Sequence, residues 1–366
     1  MNDRKTIGII GLGLIGGSLS MALKKKCPAH TILGVDDQQS TDYAVSVKSI
    51  DRSFSMQEVE SCSAMCDIIF LCTPIKKIID LMPLVSNSVK PGTLITDVGS
   101  TKRTIVKEAH KYFFHKIYFI GGHPLTGNEG FGIKSADPMM FENAVYALTP
   151  DQYIPHELIR YLGTLLEKIG AKVYFLSPAL HDKIAAGVSH LPQLLAVTLV
   201  NLIAQHQTTS SHYLKLAAGG FRDLTRIASS PYDIWEDIIQ TNGDEMSLYI
   251  EKFICQLQHL QKKLRKKSLN EDFKNAAKIR YSIPENMKGF LKPAYDLSIE
   301  AEDKPGIIAE ISTALAENNI NIKDIEVLKI KEGECGILRI SVESLQNREN
   351  AQKIINDLGY SVILKD

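Results

Sequence analysis

The residue types that could do proton chemistry gather in a few short stretches. GGHPLTGNEG (121–130) holds His123 and Glu129 among four glycines and a proline. Glycine and proline both work against helix and regular strand, so an irregular loop is expected to present these two titratable groups. An imidazole titrates near neutrality and can take a proton from a hydroxyl as a general base. TDVGSTK (96–102) brings Ser100 to a helix start, where its hydroxyl can cap the helix and still face a cleft. LHDKIAAGVSHLPQ (180–193) sets His181, His190 and Gln193 along one helix, and GGFRDLTRIASS (219–230) adds Arg222, Asp223 and Arg226. Guanidinium groups grip carboxylates through paired N–H donors, so these arginines point to an anionic substrate.

A second constellation suits a pyrophosphate. IGIIGLGLIGGSL carries Gly11-x-Gly13-x-x-Gly16 straight after an apolar run and at the start of a helical one. Gly11 permits the tight turn, Gly13 lets the anion approach the backbone, and Gly16 allows helix and strand to pack closely. The helix start, with Leu14 and Ile15, offers N–H groups that have no partner inside the helix. Asp36 ends TILGVD, in the position where a carboxylate accepts from ribose hydroxyls and repels a 2′-phosphate. Asp37, Gln38 and Gln39 follow it, with no arginine among them, so NAD is expected rather than NADP. Thr73-Pro74, after the apolar run IIFLC, is expected to line the cofactor cleft.

These residues need a scaffold, and the hydrophobic pattern supplies one. Between residues 5 and 176 the runs KTIGIIG, HTILGVD, CDIIFLCTP, GTLITDVG, KIYFIGG, NAVYALTP and AKVYFLS read as strands, with helices such as 14–26, 101–114 and 155–169 between them. Several runs are apolar on both faces, as strands of a covered parallel sheet are. The alternation predicts a doubly wound, Rossmann-type α/β domain over 1–177, in which ligands bind beyond the carboxyl ends of the strands. From 178 to 285 the pattern is helical, with breaks expected at AAGGFRD (217–223) and SSPYD (229–233). LPQLLAVTLVNLIA (191–204) contains Pro192, Gln193, Thr198 and Asn201, reads as too short and polar to span a bilayer, and is expected in a core or subunit interface. An all-α domain that forms a homodimer follows. The polar, Lys-rich stretch 262–293 reads as a connection, with the linker proper at 286–293. Residues 294–366 then alternate as βαββαβ, a ferredoxin-like module.

Composition sets outer bounds. The 366 residues carry 42 basic and 42 acidic side chains, and this balance argues against nucleic acid or an anionic membrane as the main partner. The run KKLRKK (262–267) reads as a solvated helix face. The N-terminus has no signal-peptide pattern, and the six scattered cysteines form no CxxC pair, so neither a disulfide framework nor a metal site is expected. A reduced, cytoplasmic setting is expected.

Read together and in order, GLGLIGGS, TDVGSTK, GGHPLTGNE, HDKIAAGVSHLP and GGFRDLTRIA resemble the prephenate/arogenate dehydrogenases of tyrosine biosynthesis over about residues 5–280. The resemblance implies that NAD takes hydride from the hydroxyl-bearing carbon of prephenate, after which the ring carboxylate leaves as carbon dioxide and 4-hydroxyphenylpyruvate forms. It matches His123 to the catalytic histidine, Ser100 to a serine that orients it, and Arg226 to an arginine that binds substrate carboxylate. Glu129 matches an acidic residue near the mouth of the site, and His190 belongs to the same motif. Gln193 departs from the pattern, since many members have a histidine there, and this leaves prephenate or arogenate open as substrate. The tail, with DKPGIIAEISTALAENNINI, is similar to ACT domains. That implies an amino-acid site near Asp303, Pro305 and Gly306, with L-tyrosine as the expected inhibitor. The alternatives are arogenate dehydrogenase, a non-catalytic amino-acid sensor, and a β-hydroxyacid dehydrogenase using Lys183.

Overall fold

In the computed structural model of the chain, described for residues 4–127, 130–207, 212–282, 295–301, 304–328 and 336–364, the apolar runs of the first part form one eight-stranded sheet. Its strands are β1 (Thr6–Ile10), β2 (Thr31–Val35), β3 (Arg52–Phe54), β4 (Ile68–Leu71), β5 (Leu94–Asp97), β6 (Tyr118–Pro124), β7 (Val145–Thr149) and β8 (Lys172–Phe175). They lie in the order β3-β2-β1-β4-β5-β6-β7-β8. Pairing is parallel from β3 through β6, turns antiparallel between β6 and β7, and is parallel again to β8. The short β3 escaped the sequence pattern because two of its three residues are exposed and no apolar run marks it.

The helices of this part are α1 (Leu14–Lys26), α2 (Gln38–Ser46), α3 (Val59–Ser63), α4 (Ile75–Ser88), α5 (Arg103–Tyr112) and α6 (His156–Lys168). Successive residues of a strand point to opposite faces, and both faces are covered. Ile7 and Ile9 of β1 pack with Leu19 and Leu23 of α1 and Leu166 of α6. Ile10 packs with Ile78 of α4 and Ile105 of α5 on the other side. Burying each such side chain contributes about 1.5–3 kcal/mol.

One expectation is corrected at the sheet. GGHP (121–124) is strand, not loop: Gly121 pairs with Thr149, Gly122 with Leu148, His123 with Ala147 and Pro124 with Tyr146. β5 ends at Asp97, so β6 runs past it, and Pro124 has no N–H to offer a neighbour that is no longer there. The irregular segment begins only after Pro124.

The helical part contains α7 (Pro178–Ala185), α8 (Leu191–Gln207), α9 (His212–Lys215), α10 (Gly219–Thr225), α11 (Tyr232–Arg265) and α12 (Asn270–Ser282). Ser177 starts α7 by accepting from the Leu180 N–H at 3.3 Å, with Pro178 in the first turn. A π-turn at Ala186–His190 joins α7 to α8 without a break. The resulting helix, Pro178–Gln205, has 28 residues and is long and apolar enough to cross a membrane by length and composition, which corrects the expectation of a stretch too short and polar. It packs instead against α5, β7 and α11. α11 bends at Asn242, whose φ of −139° and ψ of 18° are not helical.

The break expected at AAGGFRD (217–223) falls at Ala217–Ala218, between α9 and α10, and Gly219 and Gly220 occupy the first turn of α10 after an extended Ala218. One further expectation changes here. Residues 262–282 are not a linker: α11 runs to Arg265, and α12 follows, with Lys263 bridging to Asp272 at 2.8 Å. Lys, Arg, Glu and Ala are good helix formers, so polarity there reflects exposure rather than lack of structure. The expected linker 286–293 lies outside the described residues.

The chain divides into two compact units between Tyr281 and Ser282. The second unit holds β9 (Tyr295–Ala301), α13 (Ile307–Glu317), β10 (Ile322–Leu328), β11 (Gly336–Val342), α14 (Leu345–Asp357) and β12 (Ser361–Leu364). Its antiparallel sheet has the order β10-β11-β9-β12. Leu297, Ile299 and Ile340 of the sheet pack on Ile311 of α13 and Ile355 of α14. Gly306 caps α13 with φ of 100°, a left-handed conformation that favours glycine. Pro305 therefore precedes the cap rather than opening the first helical turn. Asp303 lies outside the described residues.

Candidate active site

The carboxyl ends of β1, β4, β5 and β6 lie along one edge of the sheet, and four motifs meet that edge. After β1 the chain turns at Gly11, with φ of 98°. A Cβ there would stand 2.7 Å from the Cys72 carbonyl oxygen, and one at Gly16 only 1.9 Å from the Gly11 carbonyl oxygen. A Cβ at Gly13 would meet nothing within 4 Å, so the loop is open on that side. Gly13 is the N-cap of α1 and provides no side chain to its first amides, so Leu14, Ile15 and Gly16 turn the positive end of the helix toward that space. Asp36 accepts from the Leu12 N–H through one oxygen and from the Asp37 N–H at 2.7 Å through the other. Each carboxylate oxygen keeps a second lone pair for a ribose hydroxyl. Just after β4, the buried hydroxyl of Thr73 has no partner among the described residues, and Pro74 caps α4. The open glycine cradle and the orphaned hydroxyl beside it fit a polar dinucleotide.

His123 is a half-buried residue near the end of β6. Its Nδ1 lies 2.8 Å from His181 Nε2, and His181 Nδ1 lies 2.8 Å from Asp182 Oδ1. The two imidazoles meet edge to face, 5.0 Å between centroids. Burial holds the pKa of His123 well below the ordinary histidine range, helped by His181, Lys102 and His190. Burial works to raise the Asp182 carboxyl, but hydrogen bonds from His181 and from the Arg103 and Lys102 amides overcome it and keep the group ionised. Those amides reach Asp182 at 2.9 and 2.6 Å.

A buried ion pair stands under β6. Lys102 and Asp97, both fully buried, are in direct contact. Asp97 also accepts from the amides of Gly99 at 2.8 Å and Gly122 at 3.0 Å. Burial lowers the pKa of Lys102, and Asp97 opposes that shift. Gly122 has no room for a side chain, since a Cβ would lie 2.5 Å from the Asp97 carbonyl oxygen.

The helical part closes the other side. His190 is buried, stacks edge-on against Trp235 at 5.8 Å, and has its pKa lowered to about 4 by burial. Asn242 donates to the Asp182 carbonyl at 2.9 Å and accepts from Arg103 Nη2 at 3.0 Å, with its amide 3.3 Å from His190 Nδ1. Arg103 also pairs with Asp182 and Asp244. Gln193 donates to the Ile227 carbonyl at 2.9 Å and so ties α8 to the turn that begins with exposed Arg226.

Among the residues singled out from sequence, His123, His181 and His190 are brought together. Arg226 is exposed, and its neighbour Ile227 accepts from Gln193. Ser100 is half-buried in the turn after β5, but the cap position of α5 is Lys102, so the hydroxyl does not cap that helix. The contact on His123 Nδ1 comes from His181. Glu129 lies outside the described residues. Asp97, Lys102, Asp182, Arg103 and Asn242 were missed. Asp97, Lys102 and Asp182 lie inside the quoted motifs, and an ionisable residue within a run of otherwise buried positions was the available signal.

Known proteins match this arrangement along the whole chain. Family models described as prephenate dehydrogenase nucleotide-binding domain, prephenate dehydrogenase dimerization domain and ACT domain match residues 19–175, 177–278 and 295–359. A prephenate dehydrogenase of Bacillus subtilis is 35% identical over 370 residues, covering 97% of each chain. A prephenate dehydrogenase from Aquifex aeolicus, solved with hydroxyphenyl propionate and NAD+, is 29% identical with a TM-score of 0.71, covering 76% of this chain and 98% of that one. An arogenate dehydrogenase from Synechocystis is 30% identical with a TM-score of 0.66, covering 75% of this chain and 99% of that one. The chain belongs to the prephenate dehydrogenase family and carries an ACT domain.

Proposed function

We propose that the chain is an NAD-dependent oxidoreductase that converts prephenate to 4-hydroxyphenylpyruvate with loss of carbon dioxide, and that it works as a homodimer inhibited by L-tyrosine. The observation that carries this reading is His123, held by His181 at the carboxyl edge of the sheet that also bears the glycine cradle. NAD, when bound, supplies the acceptor for the hydride leaving the hydroxyl-bearing ring carbon. His123 takes the hydroxyl proton at Nε2, since Nδ1 is engaged. The resulting ring ketone draws the electron pair of the carboxylate C–C bond as carbon dioxide leaves, and the oxygen regains a proton as the ring becomes aromatic. A low His123 pKa keeps the imidazole neutral and able to act as base. Arg226 supplies charge for a substrate carboxylate, and Ser100 a hydroxyl beside the reacting one. His190 and Gln193 form part of the wall, and Glu129 is assigned to the mouth.

A dimer is supported by the family's dimerization domain and by exposed apolar side chains along α8 and α11, such as Leu202, Leu248 and Leu257. The ACT domain supports an amino-acid site around Asp303, Pro305 and Gly306. Gln193 favours a second reading, arogenate as substrate. It is neutral and its amide is engaged with Ile227, so it offers no cation to an anionic side chain. Prephenate and arogenate differ by a keto against an amino group in that side chain. NADH formation measured with each substrate, with NADP in place of NAD, and with added tyrosine separates these readings. Turnover of neither substrate would overturn both.

A further inference from the structure

We propose that His181 and Asp182 are positioning residues that hold His123 in the tautomer with Nε2 unprotonated and lead its proton away after the substrate hydroxyl is ionised. This rests on His123 as the base of the proposed reaction. An ionised carboxylate can only accept hydrogen bonds, so His181 must donate to Asp182 from Nδ1. A neutral His181 then has only a lone pair at Nε2. His123 must donate to it from Nδ1, which leaves Nε2 of His123 as the acceptor turned to the cleft. Asp182 is itself anchored by the Lys102 and Arg103 amides and by Arg103 Nε at 3.3 Å, so its carboxylate cannot turn away.

The same chain explains where charge goes. When the substrate O–H bond breaks, an N–H bond forms at His123 Nε2 and the ring becomes cationic. Burial, Lys102 and His190 all oppose a cation at that ring. His181 has the Asp182 carboxylate at hydrogen-bond distance. Transfer of the Nδ1 proton from His123 to His181 Nε2 moves the positive charge beside that carboxylate and leaves His123 neutral. The charged and titratable groups facing the pair are Asp182, Lys102 and His190, with Asp97 and Asp244 behind Lys102 and Arg103.

The test is the nitrogen spectrum of the full-length protein labelled with 15N-histidine, without cofactor, near neutral pH, with His123→Asn and His181→Gln used for assignment. The expected spectrum has protonated Nδ1 and unprotonated Nε2 on both His123 and His181. A protonated Nε2 on His123 in the unaltered protein would overturn the proposal, whether or not any variant folds. Asp182→Asn places an amide donor against His181 and should invert both tautomers, with kcat lower by about 10²–10⁴-fold while KM for NAD changes little. An unchanged His123 spectrum or a kcat within a few-fold of the parent in that variant would also overturn it. Absence of turnover with prephenate and arogenate would instead remove the proposed reaction and leave the tautomer result standing.

Discussion

The ammonium group of Lys102 donates to the main-chain carbonyl of Gly122 at 2.6 Å, one residue before His123. The same lysine neutralises Asp97, and Asp97 holds the Gly122 amide. The glycine just before the candidate base is thus held at both its N–H and its C=O by one buried ion pair. Nothing on the exposed surface could fix that strand end with the same precision, because water would compete for each contact.

Replacing Lys102 by methionine should therefore cost stability before it costs chemistry. The buried Asp97 carboxylate would lose its counter-charge, and breaking such a pair from one side typically costs about 3–5 kcal/mol. Chemical denaturation should show a drop of this size. A loss under about 1 kcal/mol would mean that the pair is neutralised in some other way.

His123→Asn should lower kcat by about 10²–10⁴-fold, the usual contribution of a positioned general base. NAD affinity, measured by calorimetry, should stay within a few-fold, since the cradle lies on β1 and α1. Near-normal turnover would remove His123 from the mechanism.

Asp36→Asn keeps the shape and an acceptor for the Leu12 amide but removes the negative charge. The KM for NAD should rise about tenfold, the equivalent of roughly 1.4 kcal/mol from a lost charged hydrogen bond. Turnover with NADP should rise relative to NAD. An unchanged ratio of the two cofactors would show that discrimination lies elsewhere.

The low pKa of His190 makes a stability prediction with a definite sign. Its folded value, about 4, lies below the ordinary 6.5, so the unfolded chain binds a proton first as pH falls. The stabilisation is complete above pH 6.5, declines as pH falls from 6.5 to about 4, and levels off below that. The shift corresponds to about 3 kcal/mol. His123 adds a decline of the same sign. In His190→Gln the decline over this window should shrink by that amount in equilibrium unfolding, and a decline of unchanged size would count against burial as its cause.

Much of this was legible in the residues, and the exceptions share a physical pattern. The glycine cradle and Asp36 could be read because each obeys a local rule about turns, helix starts or strand ends. His123 was found, but its surroundings were misread. GGHP looked like a loop because glycine and proline disfavour strands, and the tertiary context overrides that preference where β5 ends and β6 continues. The partners of His123 lie 58 and 59 positions away in sequence, on the first helix of another layer, and no local pattern encodes the pairing of His181 with His123. Lys102 in particular looks like a solvent-seeking residue until Asp97 is seen beneath it. The Lys-rich 262–282 reads as a connection from its polarity alone, although its residues are good helix formers and run through the end of α11 and α12.

The π-turn at Ala186–His190 works as a phase setting for the helix that contains it. Each residue of an α-helix rotates the side-chain direction by about 100°, so one residue more or less in that turn re-aims everything downstream. Upstream of it, His181 addresses β6 and Asp182 the start of α5. Downstream, Gln193 addresses Ile227, and the exposed apolar face of α8 is turned outward. Deleting a single residue between 186 and 190 would make a more regular helix whose two halves no longer agree on which way they face. The irregular turn is the mechanical offset that lets one rod serve a proton site at one end and the grip on Ile227 at the other.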